Sequence, residues 1–192
     1  MTPHASLPNI LTVIRMILVP VMVVLLFVDP NNLGLRAAAT AVFAAAMATD
    51  FLDGRIARKY GLVTDFGKLW DPIADKALTG AAFISLSLLG ELPWYFTIII
   101  LVREWGITAL RDYLKRRSII MAANRGGKLK TVLQSFALLL LLFGEQFLPG
   151  PLQVGAWALM WLALIVTVVT GFDYVREAVG LLRTAGREPE AR

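Results

Sequence analysis

Apolar residues gather along this chain in six stretches, each near the roughly 20 residues a helix needs to cross a hydrocarbon layer. The first is expected at about 7–28, with Ser6 and Pro8 as start signals and Asp29-Pro30-Asn31-Asn32 as the stop. The second, about 35–60, is crowded with alanine, and small side chains let neighbouring helices approach closely, which places it centrally in a bundle. The others fall at about 65–90, 93–117, 128–148 and 152–172. The fourth opens on Pro93, Trp94 and Tyr95, an interfacial aromatic cluster, and the sixth continues as an amphipathic helix toward Leu182. From Thr184 the sequence is polar and expected to be disordered, so residues 1–183 read as one membrane domain and 184–192 as a tail. The run after Pro8 has neither a basic leader nor an A-x-A pattern, and reads as a retained first span.

With 57% hydrophobic residues in 192 and no polar stretch long enough to fold separately, the pattern predicts an all-α integral membrane protein, a bundle of six transmembrane helices. The net charge of +5 changes that picture only by its distribution. Arg55, Arg58, Lys59, Lys68, Lys115, Arg116, Arg117, Arg125, Lys128 and Lys130 follow spans two and four, and Arg176, Arg183, Arg187 and Arg192 follow span six. The opposite ends offer Arg36 against Asp29, Glu91 and Glu145. Both termini are therefore expected on the cytoplasmic side, with the basic loops near anionic lipid. A topology signal of this kind argues against nucleic acid as the partner. Cysteine is absent, which excludes disulfides and thiolate metal sites, and His4 is the only histidine.

One stretch breaks the apolar pattern. Residues 50–75 read DFLDGRIARKYGLVTDFGKLWDPIAD and carry carboxylates at Asp50, Asp53, Asp71 and Asp75 inside predicted spans. Each ionised side chain costs roughly 2.5–3.5 kcal/mol at the bilayer centre, so four facing lipid would cost on the order of 10 kcal/mol. A metal ion is the compensating partner that four such groups suggest. Asp50 and Asp53 stand i,i+3 on one helix, Asp71 and Asp75 i,i+4 on the next, so a turn at 59–66 lets both pairs face one cavity. Oxygen-only ligands suit Mg²⁺ or Mn²⁺, two ions fitting the four carboxylates, and Arg58 supplies a fork that matches phosphate oxygens. Gly54 and Gly67 clear room for a ligand against the backbone. Together these residues point to phosphoryl transfer at a membrane interface; the plainer alternatives are intramembrane salt bridges or an ion path.

The pattern D-x2-D-G-x2-A-R-x8-G-x3-D-x3-D is complete here in Asp50, Asp53, Gly54, Ala57, Arg58, Gly67, Asp71 and Asp75. It resembles that of the CDP-alcohol phosphotransferases, a family of six-helix integral membrane enzymes, usually homodimers. By that resemblance Asp50, Asp53 and Asp71 hold metal with Asp75 near them as general base, and Gly54, Ala57, Arg58 and Gly67 receive the cytidine diphosphate. LPNILTVIR at 7–15, DPIADK at 71–76, VREWGITALR at 102–111 and GKLKT at 127–131 narrow the resemblance. They are similar to the branch that joins CDP-diacylglycerol to sn-glycerol 3-phosphate with release of CMP. Siblings using inositol phosphate, serine or phosphatidylglycerol share the acidic motif, and a divalent-cation transporter is the reading from another class.

A soluble acceptor with its own phosphate needs a cationic pocket, for which Arg103, Arg111 and Lys130 are the candidates, with Lys128 weaker. Arg103 and Arg111 are eight apart, nearly one helical face. The alternative is a structural pairing of Arg103 with Glu104, Asp112 or a motif aspartate. Asn9, Thr12 and Arg15 make a polar stripe on span one that could touch nucleotide or simply cap and snorkel.

Overall fold

The computed structural model describes residues 6–60, 65–117, 119, 121 and 125–185; for 6–8, 50–60, 65, 66, 68, 69, 125, 126, 184 and 185 only the backbone is described. Among these the structure is entirely helical. Six α-helices run in order: α1 Ser6–Val28, α2 Leu33–Tyr60, α3 Asp65–Leu88, α4 Trp94–Arg116, α5 Arg125–Phe143 and α6 Gly150–Ala185. The tail expected from Thr184 lies, beyond Ala185, outside the described residues. Among the described residues two helices are long and apolar enough to cross a membrane, over Asn9–Val28 and Gly150–Arg183, and Leu33–Thr49 is a shorter apolar helix. Large apolar side chains such as Ile17, Val102, Val154 and Phe172 point outward, as a lipid-facing surface requires.

The helix ends follow local chemistry. Asn32 caps α2, its Oδ1 accepting from the Leu35 amide at 3.1 Å, and Asp29 Oδ1 accepts from the Asn31 amide to close the turn before it. The fifth helix stops at Phe143, short of the expected Leu148. Gly144 takes φ +99°, a left-handed conformation that ends the α-helix, and a short 3₁₀ turn follows at Glu145–Phe147.

The chain divides into two compact units, residues 1–93 with 138–156, and 94–137 with 157–192. In the first, α1 packs along both α2 and α3, which meet each other over a shorter length. Ala39, Phe43 and Ala46 of α2 and Ala74, Leu78 and Ala82 of α3 are buried at helical spacing, so small residues bring the backbones close. Arg36, fully buried, pairs with Glu91, and its Nη2 also donates to the Leu141 carbonyl. In the second unit Phe96 packs edge-on against Trp161 at 4.8 Å between ring centres, and Gln134 donates to Thr167 at 2.9 Å, tying α5 to α6.

Candidate functional site

The acidic motif belongs to the first unit. Thr12 of α1 is fully buried and its hydroxyl donates to Asp71 Oδ1 of α3 at 2.5 Å, the short distance expected of a bond to a carboxylate. Arg15, also fully buried, donates from Nε to the Ala46 carbonyl of α2 at 3.3 Å, one turn before Asp50. The polar stripe of α1 therefore turns inward and braces both motif-bearing helices. Asp75 lies one turn beyond Asp71 on an exposed part of α3, and Gly67, buried, one turn before it. Pro72 sits inside α3 and denies the Lys68 carbonyl its amide donor, a helix-bending feature next to Asp71.

Asp50, Asp53, Gly54, Ala57 and Arg58 lie on the α2 backbone, but their side chains fall outside the described residues. Among the described residues no three acidic or histidine side chains cluster. The half of the donor set that is described fits a hard divalent cation. Asp71 and Asp75 offer only carboxylate oxygens, and the Thr12 hydroxyl fixes one oxygen of Asp71 while leaving the other free to ligate.

The second unit holds a cationic cavity of about 420 Å³, whose walls include Arg103, Glu104, Arg111, Lys128, Lys130 and Tyr174. Arg103 Nη2 donates to Thr170 Oγ1 of α6 at 2.9 Å, and Nη1 lies 3.4 Å from Glu104 Oε1. The same carboxylate pairs with Lys130 of α5, which is buried. The buried ring of Tyr174 lies 5.5 Å from the Arg103 guanidinium carbon and 5.3 Å from that of Arg111, within cation–π range of both. Gly171 makes room for this arrangement: a β-carbon there would come within 3.1 Å of Arg103 Cγ. Among the described lining residues, four cations accompany one carboxylate. That imbalance, with a guanidinium held rigidly against an aromatic ring, suits a phosphate.

The three candidates of the sequence reading, from α4 and α5, thus line one cavity, and Lys128 lines it with them. Glu104 is indeed a partner of Arg103, yet it shares its charge with Lys130 and does not neutralise the cluster. Thr170 and Tyr174 were not singled out. They stand one turn apart on α6, Thr170 near the end of the expected sixth span and Tyr174 in its amphipathic continuation, and a tyrosine on that polar extension was the available signal.

Comparison with known proteins bears on both halves. The profile of the CDP-alcohol phosphatidyltransferase family matches residues 5–169, which takes in both the acidic motif and the cationic cavity apart from Tyr174. This chain belongs to the CDP-alcohol phosphatidyltransferase family. Within that family it is 47% identical over 186 residues to a Mycobacterium tuberculosis protein named "Probable phosphatidylglycerophosphate synthase", covering 94% of this chain and 87% of the relative. It is 38% identical to a Rickettsia typhi protein named CDP-diacylglycerol--glycerol-3-phosphate 3-phosphatidyltransferase, over 89% of this chain and 96% of the relative. A Bacillus subtilis protein of the same name is 35% identical over 94% of this chain and 98% of its own length. Coverage near full length on both sides means that the likeness to these CDP-alcohol phosphatidyltransferase family members extends well past the acidic motif.

Proposed function

We propose that this chain transfers the phosphatidyl group from CDP-diacylglycerol to sn-glycerol 3-phosphate, giving phosphatidylglycerophosphate and CMP. The observation that carries a phosphorylated acceptor is the cavity in which Arg103, Arg111 and Lys130 converge around Tyr174, because such an alcohol, glycerol 3-phosphate or inositol phosphate, needs a cationic seat that serine does not. The names of the relatives above point the same way.

In this reading Gly54, Ala57, Arg58 and Gly67 receive the cytidine diphosphate, and Asp50, Asp53 and Asp71, with Asp75 beside them, hold Mg²⁺ or Mn²⁺, as one or two ions. When bound, the metal supplies charge neutralisation on the diphosphate. Asp75 takes the proton from the glycerol hydroxyl as that oxygen bonds to the phosphorus bearing diacylglycerol, and the bond from that phosphorus to CMP breaks, CMP keeping the electron pair. Arg103, Arg111 and Lys130 orient the acceptor through its phosphate. The six helices span the cell membrane with both termini and the acidic site toward the cytoplasm, which the one-sided placement of lysine and arginine supports, and the chain works as a homodimer among membrane lipids.

The test is CMP release by the purified protein with CDP-diacylglycerol and a panel of sn-glycerol 3-phosphate, inositol phosphate, serine and phosphatidylglycerol. Release with glycerol 3-phosphate alone is expected. Release with another alcohol alone assigns a sibling activity, and none with any acceptor removes the enzyme reading. EDTA stops turnover and Mg²⁺ or Mn²⁺ restores it; activity that persists in chelator refutes the metal assignment. Asp75→Asn abolishes CMP release while retaining CDP-diacylglycerol, and near-normal turnover in that variant refutes the base.

A further inference from the structure

An apolar groove of about 620 Å³ runs along α4 and α6 within the second unit, between Ile99, Val102 and Gly106 on one helix and Val168, Phe172 and Val175 on the other. Arg103 and Ile107 line both this groove and the cationic cavity. Arg103 is divided between them by its own chemistry. Its aliphatic stem lies against Gly171 on the groove side, and its guanidinium meets Thr170 and Tyr174 on the cavity side. The two spaces flank α4 side by side from Arg103 to Leu110; the cavity reaches Arg111, and the groove alone continues a turn past Arg103 toward the N-terminus, to Ile99.

A polar seat for phosphate thus adjoins an apolar trough across Arg103, and the trough runs on beyond it, so a single molecule with a phosphate head and an acyl tail can occupy both. A soluble phosphate would use only the cavity. A helix of a second copy would cover the groove but bring nothing to the cationic surplus among the described lining residues. We propose that this unit binds a phosphate-monoester lipid, its phosphate in the cavity and one acyl chain in the groove, and that such a lipid competes with the phosphorylated alcohol. The competition rests on the reading of the cavity as the acceptor-phosphate site. The class includes phosphatidic acid and the proposed product, which carries a terminal phosphate monoester.

The experiment uses the full chain in mixed micelles at a fixed surface fraction of CDP-diacylglycerol. Dioleoyl phosphatidic acid raises the apparent KM for glycerol 3-phosphate several-fold at unchanged kcat, and neither dioleoyl phosphatidylcholine nor inorganic phosphate at the same concentration does so. At Gly106 an added β-carbon meets nothing within 4 Å, so the side chain of Gly106→Leu can start into the groove unobstructed. Displacing as few as two buried methylenes weakens the lipid about tenfold while the KM for glycerol 3-phosphate stays put. Val168→Phe fills the groove from the other helix and gives the same result should the first variant fold poorly. Native mass spectrometry reads retained phosphatidic acid without turnover, so a failed acceptor assignment and a failed lipid site give different results. Inhibition competitive with CDP-diacylglycerol alone, lipid sensitivity unchanged in both filled variants, or a changed oligomeric mass with lipid sensitivity intact would each overturn the proposal.

Discussion

Arg36 and Arg103 are both arginines set into apolar helices, and both reach a glutamate, yet their surroundings assign them different work. Around Arg36 the space is closed. The guanidinium pairs with Glu91, donates to the Leu141 carbonyl, and is capped by Gly144, whose added β-carbon would come within 3.0 Å of Nε. Its Nε and Nη1 have no hydrogen-bond partner among the described residues. Arg103 instead opens on a cavity where cations outnumber carboxylates, and Glu104, its acidic neighbour, is already engaged by Lys130. A buried arginine sealed against its acidic partner suits holding helices together; one left in surplus beside open volume suits an anion.

The largest expected effect tests the closed side. Arg36→Ala leaves Glu91 without its partner in a largely buried site and lowers stability by about 3 kcal/mol, read as a fall in melting temperature in detergent. A KM shift for glycerol 3-phosphate without loss of stability would break the contrast. On the open side, Arg103→Ala raises the KM for glycerol 3-phosphate about 10- to 100-fold, the worth of one charge-assisted hydrogen bond, and moves the KM for CDP-diacylglycerol far less. Equal shifts for both substrates would make Arg103 a structural residue like Arg36. Gly144→Ala is smaller, about 1–2 kcal/mol, from a side chain held at positive φ against Arg36 and Phe147; unchanged melting would show that the seal matters little.

The smallest effect carries the comparison to Thr12, a buried polar group that faces an acid of the motif. Thr12→Val weakens Mn²⁺ binding about tenfold by releasing Asp71, Thr12→Ser retains it, and melting temperature changes little. Electron paramagnetic resonance of free Mn²⁺ reads this directly, and equal affinity in all three proteins would remove the orienting role.

Much of this was legible in the sequence because long apolar helices announce themselves. Six apolar runs predicted six helices with ends mostly within two or three residues, since Asn32, Pro30 and Pro93 act locally. The fifth ended earlier because the conformation of Gly144 is tied to Arg36, more than a hundred residues away. The acidic motif was legible as a pattern of costs, and Arg103 and Arg111 as one helical face. What they touch was not. Tyr174 and Thr170 meet Arg103 only once α6 is packed on α4, and Thr12 finds Asp71 only through the packing of α1 on α3. Periodicity reports which face a residue occupies, and only tertiary packing supplies the partner.

The length of α6 has a consequence of its own. Thirty-six residues make a rod of about 54 Å against a hydrocarbon layer of about 30 Å, so far more helix is present than one crossing uses. Thr170 and Tyr174 lie about 20 and 24 residues from its start, as far along as the roughly 20 residues that one crossing needs. Hydrophobic mismatch would be relieved by tilting or sliding this rod, and either motion carries the two groups that steady Arg103 and Arg111. In the proposed reading, bilayer thickness thereby becomes a variable of the acceptor-phosphate seat, and membranes of different acyl length should tune it without any change in sequence.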